Sequence, residues 1–227
     1  MKFGSLVCGV AVVLATASVG HSAIIFEDDF ETAPNNGPGQ FGNPWVVLAT
    51  GFGTAGSENA NLGTDGPVTA FFNVDSVSTA DIFIDTGDAA AAGDYTLSFD
   101  NISRVAVFAN QYDGTMTASL VAWDGVGDVR TDSTTILSGI PDYTNLPVAG
   151  QFNSNTFTGT LAAPAAGNVY VLFETTENTN TTQNSNSFSQ PLIDNVGVDF
   201  VTAVPEPSSL AAMGLIGGVA AWRRRCR

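Results

Sequence analysis

The chain has 227 residues, 22 of them acidic and only 7 basic, for a formal net charge of −15. Phosphate contacts from lysine and arginine supply most nucleic-acid affinity, so this balance excludes a nucleic-acid partner and disfavours anionic lipid surfaces. What such acidity does supply is solubility, and it keeps copies of the chain apart.

The first segment opens with Lys2, runs through an apolar stretch over 6–19, and closes on small residues. That is the charged, hydrophobic and small-residue order of a secretory signal peptide, too short for a membrane span. Gly20 and Ser22 satisfy the small-residue rule for cleavage after Ser22, so residues 1–22 are read as a signal helix handed to the secretion machinery. An uncleaved anchor is the alternative. Val7 before Cys8, and the early position of that cysteine, argue against a lipoprotein signal.

Residues 23–203 form the body. Cys8 and Cys226 both lie outside it, so it has neither a disulfide framework nor thiol chemistry. Lys2 and the four terminal arginines also lie outside, which leaves Arg104 and Arg130 as its only cations, whereas Glu206 is the only acidic residue beyond it. Short β-favouring runs separated by turn residues predict strands at 24–30, 45–50, 68–73, 81–85 and 95–102. In 95–102 strict alternation places Tyr95, Leu97, Phe99 and Asn101 on one face. Runs at 104–110 and 115–123 predict a hairpin around Asp113-Gly114, a dipeptide suited to a tight turn. Further strands are predicted at 134–137, 152–161, 169–174 and 192–201. Ten or eleven strands at this spacing predict an all-β fold, an antiparallel β-sandwich of the jelly-roll type. Residues 88–93 read as a loop or one helical turn, and the Thr/Asn/Ser-rich stretch 175–190 as a polar loop whose hydroxyls could carry sugars.

The last segment, 204–227, has three zones. Pro205, Glu206 and Pro207 form a rigid extended turn that no helix can cross. Residues 208–222 carry no charge and predict a helix of about 22 Å, short of the ~30 Å hydrocarbon core yet able to span with local thinning. Arg223, Arg224, Arg225 and Arg227 make a basic tail that stays cytoplasmic. An amphipathic surface helix is the alternative for 208–222. The three zones in this order resemble the PEP-CTERM sorting signal of Gram-negative bacteria, over about a tenth of the chain. The resemblance implies a transient inner-membrane anchor, processing by exosortase near Pro205–Pro207, and delivery of the body to the cell envelope or extracellular matrix.

Chemistry in the body is limited by its residue types. With no lysine, no cysteine and no histidine after His21, it excludes Ser-His-Asp triads, Cys-His dyads, Schiff-base lysines and histidine-bound zinc. Carboxylates alone could run glycoside hydrolysis, but the aspartates fall mostly in turn contexts such as Asp113-Gly114 and Asp124-Gly125. Carboxylate and carbonyl oxygens do suit calcium. The opening Glu27-Asp28-Asp29-Phe30-Glu31 and the closing Ile193-Asp194-Asn195-Val196 resemble the corresponding strands of carbohydrate-binding, galactose-binding-like jelly rolls. That resemblance implies neighbouring first and last strands and a structural calcium with Glu31 and Asp194 as side-chain ligands. Acidic groups merely hydrogen-bonded at sheet ends would give the same sequence. Phe30, Ile193 and Val196 are core under either reading. Sugar-stacking candidates are Trp45, Tyr112, Trp123 and Tyr143, with Trp123 and Tyr112 favoured because each precedes an Asp-Gly turn. Together these features predict a non-enzymatic structural or adhesive protein with weak polysaccharide contact. A dedicated carbohydrate-binding module and a glycoside hydrolase are the alternatives.

Overall fold

The computed structural model describes residues 22–31, 37–38, 45–50, 54–59, 68–74, 76–103, 114–141, 152–177 and 191–202, which fall in one compact unit, His21–Thr202. The signal helix, the 208–222 helix and the basic tail lie outside the described residues, as do Tyr112, Tyr143, the 104–110 run and most of the 175–190 loop. No helix among the described residues is long and apolar enough to cross a membrane.

Twelve strands build the described part: β1 (Ser22–Asp28), β2 (Gly37–Pro38), β3 (Val46–Ala49), β4 (Thr54–Asn59), β5 (Val68–Asn73) and β6 (Ala80–Ala89), then β7 (Gly93–Ser103), β8 (Met116–Trp123), β9 (Thr134–Gly139), β10 (Phe152–Leu161), β11 (Asn168–Thr175) and β12 (Pro191–Thr202). One sheet runs β10-β7-β12-β5-β4-β2 with β1 also on β12, and the other runs β3-β6-β11-β8-β9. Every strand pairing is antiparallel. The fold is a jelly-roll-type β-sandwich.

Period-two alternation decides which side chains meet between the sheets. Ile82 and Ile84 of β6, Ala118 and Leu120 of β8, and Val169, Val171 and Phe173 of β11 point inward from the five-stranded sheet. From the seven-stranded sheet come Phe72, Tyr95, Leu97, Phe99, Ile193 and Val198. Phe173 lies at the centre, its ring 5.1 Å from Phe99 and 6.1 Å from Trp45. Two polar side chains of this inner layer find partners. The Tyr95 hydroxyl donates to the Ala91 carbonyl at 2.8 Å, and buried Asn101 accepts from the Asn155 amide at 2.7 Å.

Three features differ from the sequence reading. β6 continues through Asp88 and Ala89, so the alanine run 88–93 is partly strand, because Ala89 lies opposite Asn168 of β11. β8 pairs with β9 and β11 among the described residues. Trp45 is a core residue, 8% exposed, and donates its indole N–H to Asp28 Oδ2 at 2.7 Å. It is therefore withdrawn as a sugar-stacking candidate.

Candidate functional site

The outer faces of the two sheets differ in chemistry. On β7 and β10 of the seven-stranded sheet the outward positions are hydroxyls and carboxylates joined across strands, with Thr160 donating to Asp94 and Ser154 to Asp100, each at 2.6 Å. The outer face of the five-stranded sheet instead carries an aromatic cluster. Phe83 of β6, Trp123 of β8 and Tyr170 of β11 are half-buried there, with ring centroids 5.2–6.2 Å apart. Beneath them Val121 and Leu172 are buried, covered by Val129 from the β8–β9 loop. The sequence dictates this layer, because Phe83, Tyr170 and Leu172 occupy the opposite register from Ile82, Val171 and Phe173.

Polar groups hold the rings in place. Asp85 accepts from the Tyr170 hydroxyl at 3.1 Å and from the Asn168 amide at 3.0 and 3.2 Å, and it also takes the Gly87 peptide N–H at 2.8 Å. Burial, and the negative charge of Asp85 beside it, push the Tyr170 hydroxyl above its ordinary pKa, so it stays a donor. The Trp123 indole N–H donates to the Val126 carbonyl at 2.8 Å, which fixes the ring plane beside an Asp124-capped turn. Toward the other end of the same face, Arg130 bridges Asp128 at 2.6 Å and Asp81 at 3.1 Å. Burial raises the Asp81 carboxyl despite hydrogen bonds from Thr175 N–H and Arg130, whereas the Arg130 hydrogen bonds lower Asp128 to about 2. Arg130 is the only lysine or arginine among the described residues, and it forms ion pairs with both of these carboxylates.

A second polar site forms where β1 meets β12. An open cleft of about 620 Å³ is lined by Glu27, Asp28, Asp29, Ser98, Asn195 and Gly197. Two non-glycine residues adopt left-handed backbone here, Phe30 at φ 58° and Asn195 at φ 50°. Such conformations are costly for a bulky side chain, by roughly 1–3 kcal/mol, and persist only where neighbours enforce them. Asp28 Oδ1 holds the Phe30 N–H at 2.8 Å, and buried Asp194 accepts the Asn195 N–H at 3.0 Å. The bulge between Asp194 and Gly197 places Asp28 opposite Val196, so the predicted adjacency of first and last strands is present. Glu31 and Asp194, the two predicted ligands, thus each follow or precede one strained residue. Among the described residues no group of three or more acidic, histidine or cysteine side chains converges.

The sequence singled out Trp123 on this surface and missed Phe83, Tyr170, Asp85 and Asn168. A signal was present. In Asp81-Ile-Phe-Ile-Asp85 the phenylalanine shares its register with two aspartates, a position where an ordinary sandwich strand carries a polar residue.

Comparison with known proteins agrees with this architecture. A cyclase from Fischerella sp. shares the fold at TM-score 0.52 and 16% identity, over 81% of this chain and 98% of that one. The CBM22-1 xylan-binding domain from Paenibacillus barcinonensis gives TM-score 0.48 at 12% identity, over 82% and 100% of the two chains. The enzymatically active domain of tailspike protein 4 from bacteriophage CBA120 gives 0.46 at 18% identity, and the match spans 69% of this chain but only 19% of the tailspike. No curated protein matches in sequence. The body is a jelly-roll-type β-sandwich, a fold it shares with the Fischerella cyclase.

The C-terminal segment is more specific. Residues 203–225 match the PEP-CTERM protein-sorting motif, which takes in Pro205, Glu206, Pro207 and Arg223 to Arg225. That motif marks an exported protein with a C-terminal membrane anchor before exosortase cleavage.

Proposed function

We propose that this protein is a non-catalytic component of the cell envelope or extracellular matrix, and that it contacts polysaccharide through the outer face of the five-stranded sheet. One observation carries the reading: Phe83, Trp123 and Tyr170 are clustered and locked by Asp85, Asn168 and the Val126 carbonyl on an exterior face. Pre-set aromatic faces bind pyranose rings at little conformational cost, and adjoining carboxylate and amide groups supply hydrogen bonds to hydroxyls. The secretion machinery delivers the chain, and exosortase releases the body to its final place. The carboxylates on this face are engaged with Arg130, Thr175, Tyr170 and Asn168, which favours a holding role over acid–base work.

The test is affinity electrophoresis of the exported protein in gels containing soluble xylan or β-glucan. Retardation is expected in at least one, and Trp123→Ala is expected to weaken it at least tenfold with unchanged circular dichroism. Equal migration in every polysaccharide gel defeats the reading.

A structural calcium is proposed at the β1–β12 end, held by Glu31 and Asp194 with peptide carbonyls. The oxygen-only donors fit a hard cation, and the two left-handed residues beside these ligands are the strained backbone such a site tends to enforce. Excess chelator is expected to lower the melting temperature by several degrees, and added calcium to restore it. A transition unchanged in protein verified as metal-free removes calcium from the account.

A further inference from the structure

The three rings of the aromatic face are not coplanar. Phe83 and Trp123 meet at 88°, Trp123 and Tyr170 at 71°, and Phe83 and Tyr170 at 51°. Edge-to-face packing of this kind fixes the orientation of each ring. The sugar rings of an ordered, insoluble polysaccharide surface share a plane, so such a surface can rest face-on against only one of the three. Trp123 is the ring that offers hydrocarbon to a ligand. Its indole N–H is already donated to the Val126 carbonyl at 2.8 Å, and Val126 adds an apolar side chain that is 70% exposed. The Tyr170 hydroxyl is committed to Asp85, and Asn168 lies directly opposite Trp123 in the β8–β11 ladder.

The charge around these rings is of one sign. Asp85 is exposed beside Tyr170, Asp124 is exposed at the turn after Trp123, and half-buried Glu174 shares the outward register of Tyr170 and Leu172. Arg130, the only lysine or arginine among the described residues, is ion-paired with Asp81 and Asp128. Uronate or sulfate groups would meet repulsion here that no other lysine or arginine among the described residues offsets. Resting on the polysaccharide reading above, we infer that this face holds a single sugar of an uncharged, soluble polysaccharide chain, stacked on Trp123 with Asp85 and Asn168 as partners for its hydroxyls. The apolar C–H face of a pyranose covers the indole, and carboxylate and amide oxygens accept from the hydroxyls at its rim. The neighbouring sugars of the chain find no second parallel ring, so added chain length contributes little affinity.

Titration of the exported protein with oligosaccharides of two to six sugars, cut from whichever neutral polymer retards it, tests this assignment. Affinity is expected to level off by the trisaccharide, with the hexasaccharide within about twofold of it. Microcrystalline cellulose should leave the protein in solution, and polygalacturonate gels should not retard it. A rise of tenfold or more from trisaccharide to hexasaccharide overturns the single-sugar site. So does adsorption to cellulose that is lost in Trp123→Ala, or retardation by polygalacturonate stronger than by any neutral polymer. These three outcomes leave polysaccharide contact itself in place, whereas equal migration in every polysaccharide gel overturns the parent reading and this one together.

Discussion

Replacing Phe173 with alanine is expected to cost about 3–5 kcal/mol, the range for truncating a fully buried phenylalanine. Phe173 lies on β11, the middle strand of the five-stranded sheet, and is 0% exposed. Its ring meets Phe99 of β7, Phe72 of β5 and Trp45 at centroid distances of 5.1, 6.4 and 6.1 Å, so one side chain joins both sheets. The opposing residues are strand-borne and cannot collapse into the gap without breaking ladder hydrogen bonds. A loss of this size is a large fraction of the 5–15 kcal/mol that stabilises a typical domain. Urea unfolding followed by tryptophan fluorescence should show the midpoint falling with little change in slope. Phe173→Leu, which leaves a smaller cavity, should lose less than the alanine variant. A loss below 1 kcal/mol for the alanine variant would mean that the sheets are not joined here.

Gly167→Ala is expected to cost about 2–5 kcal/mol. Gly167 sits just before β11 at φ +85°, and its carbonyl accepts the Ala90 N–H at 3.1 Å. A Cβ there collides with the Trp123 carbonyl oxygen and stands 2.6 Å from Asp124 Cα. The left-handed backbone contributes about 1–2 kcal/mol of that cost and the collision about 1–3. Gly87 is the internal control, because it has nearly the same φ, +83°, with nothing within 4 Å of its Cβ position. Gly87→Ala should therefore show the conformational part alone. Equal losses at the two positions in parallel urea titrations would show that the chain at 167 relaxes away from Trp123. Because the clash falls on the Trp123 backbone, Gly167→Ala should also disturb the aromatic face at Trp123.

Much of the fold is legible in the sequence wherever side chains alternate. The strand bounds 68–73 and 152–161 are the same from sequence and structure, and Tyr95, Leu97, Phe99 and Asn101 do share the buried face of β7. Phe30, Ile193 and Val196 are core as expected. β4, Thr-Ala-Gly-Ser-Glu-Asn, has no run of β-branched or aromatic residues and becomes a strand only because β5 lies beside it in register. β2 is invisible for the same reason. Local preference is weak there, and the partner's open hydrogen-bonding edge outweighs it. Trp45 shows the converse limit. A tryptophan at a strand start reads alike whether it faces solvent or core, and the Asp28 acceptor that buries it lies 17 residues away.

The export motif, the fold class and the residue types the body lacks were set by the sequence alone. The terminal segments have a fixed linear order, alternation follows from strand geometry, and an absent residue type cannot be supplied by folding. Only the tertiary structure decided that Phe83, Trp123 and Tyr170 form one surface, because they come from three strands up to 87 positions apart, brought together by the β6-β11-β8 pairing. It also decided that β10 ends the seven-stranded sheet among the described residues. Strand order depends on which long-range ladders close, and that energy belongs to pairs of segments rather than to either segment alone.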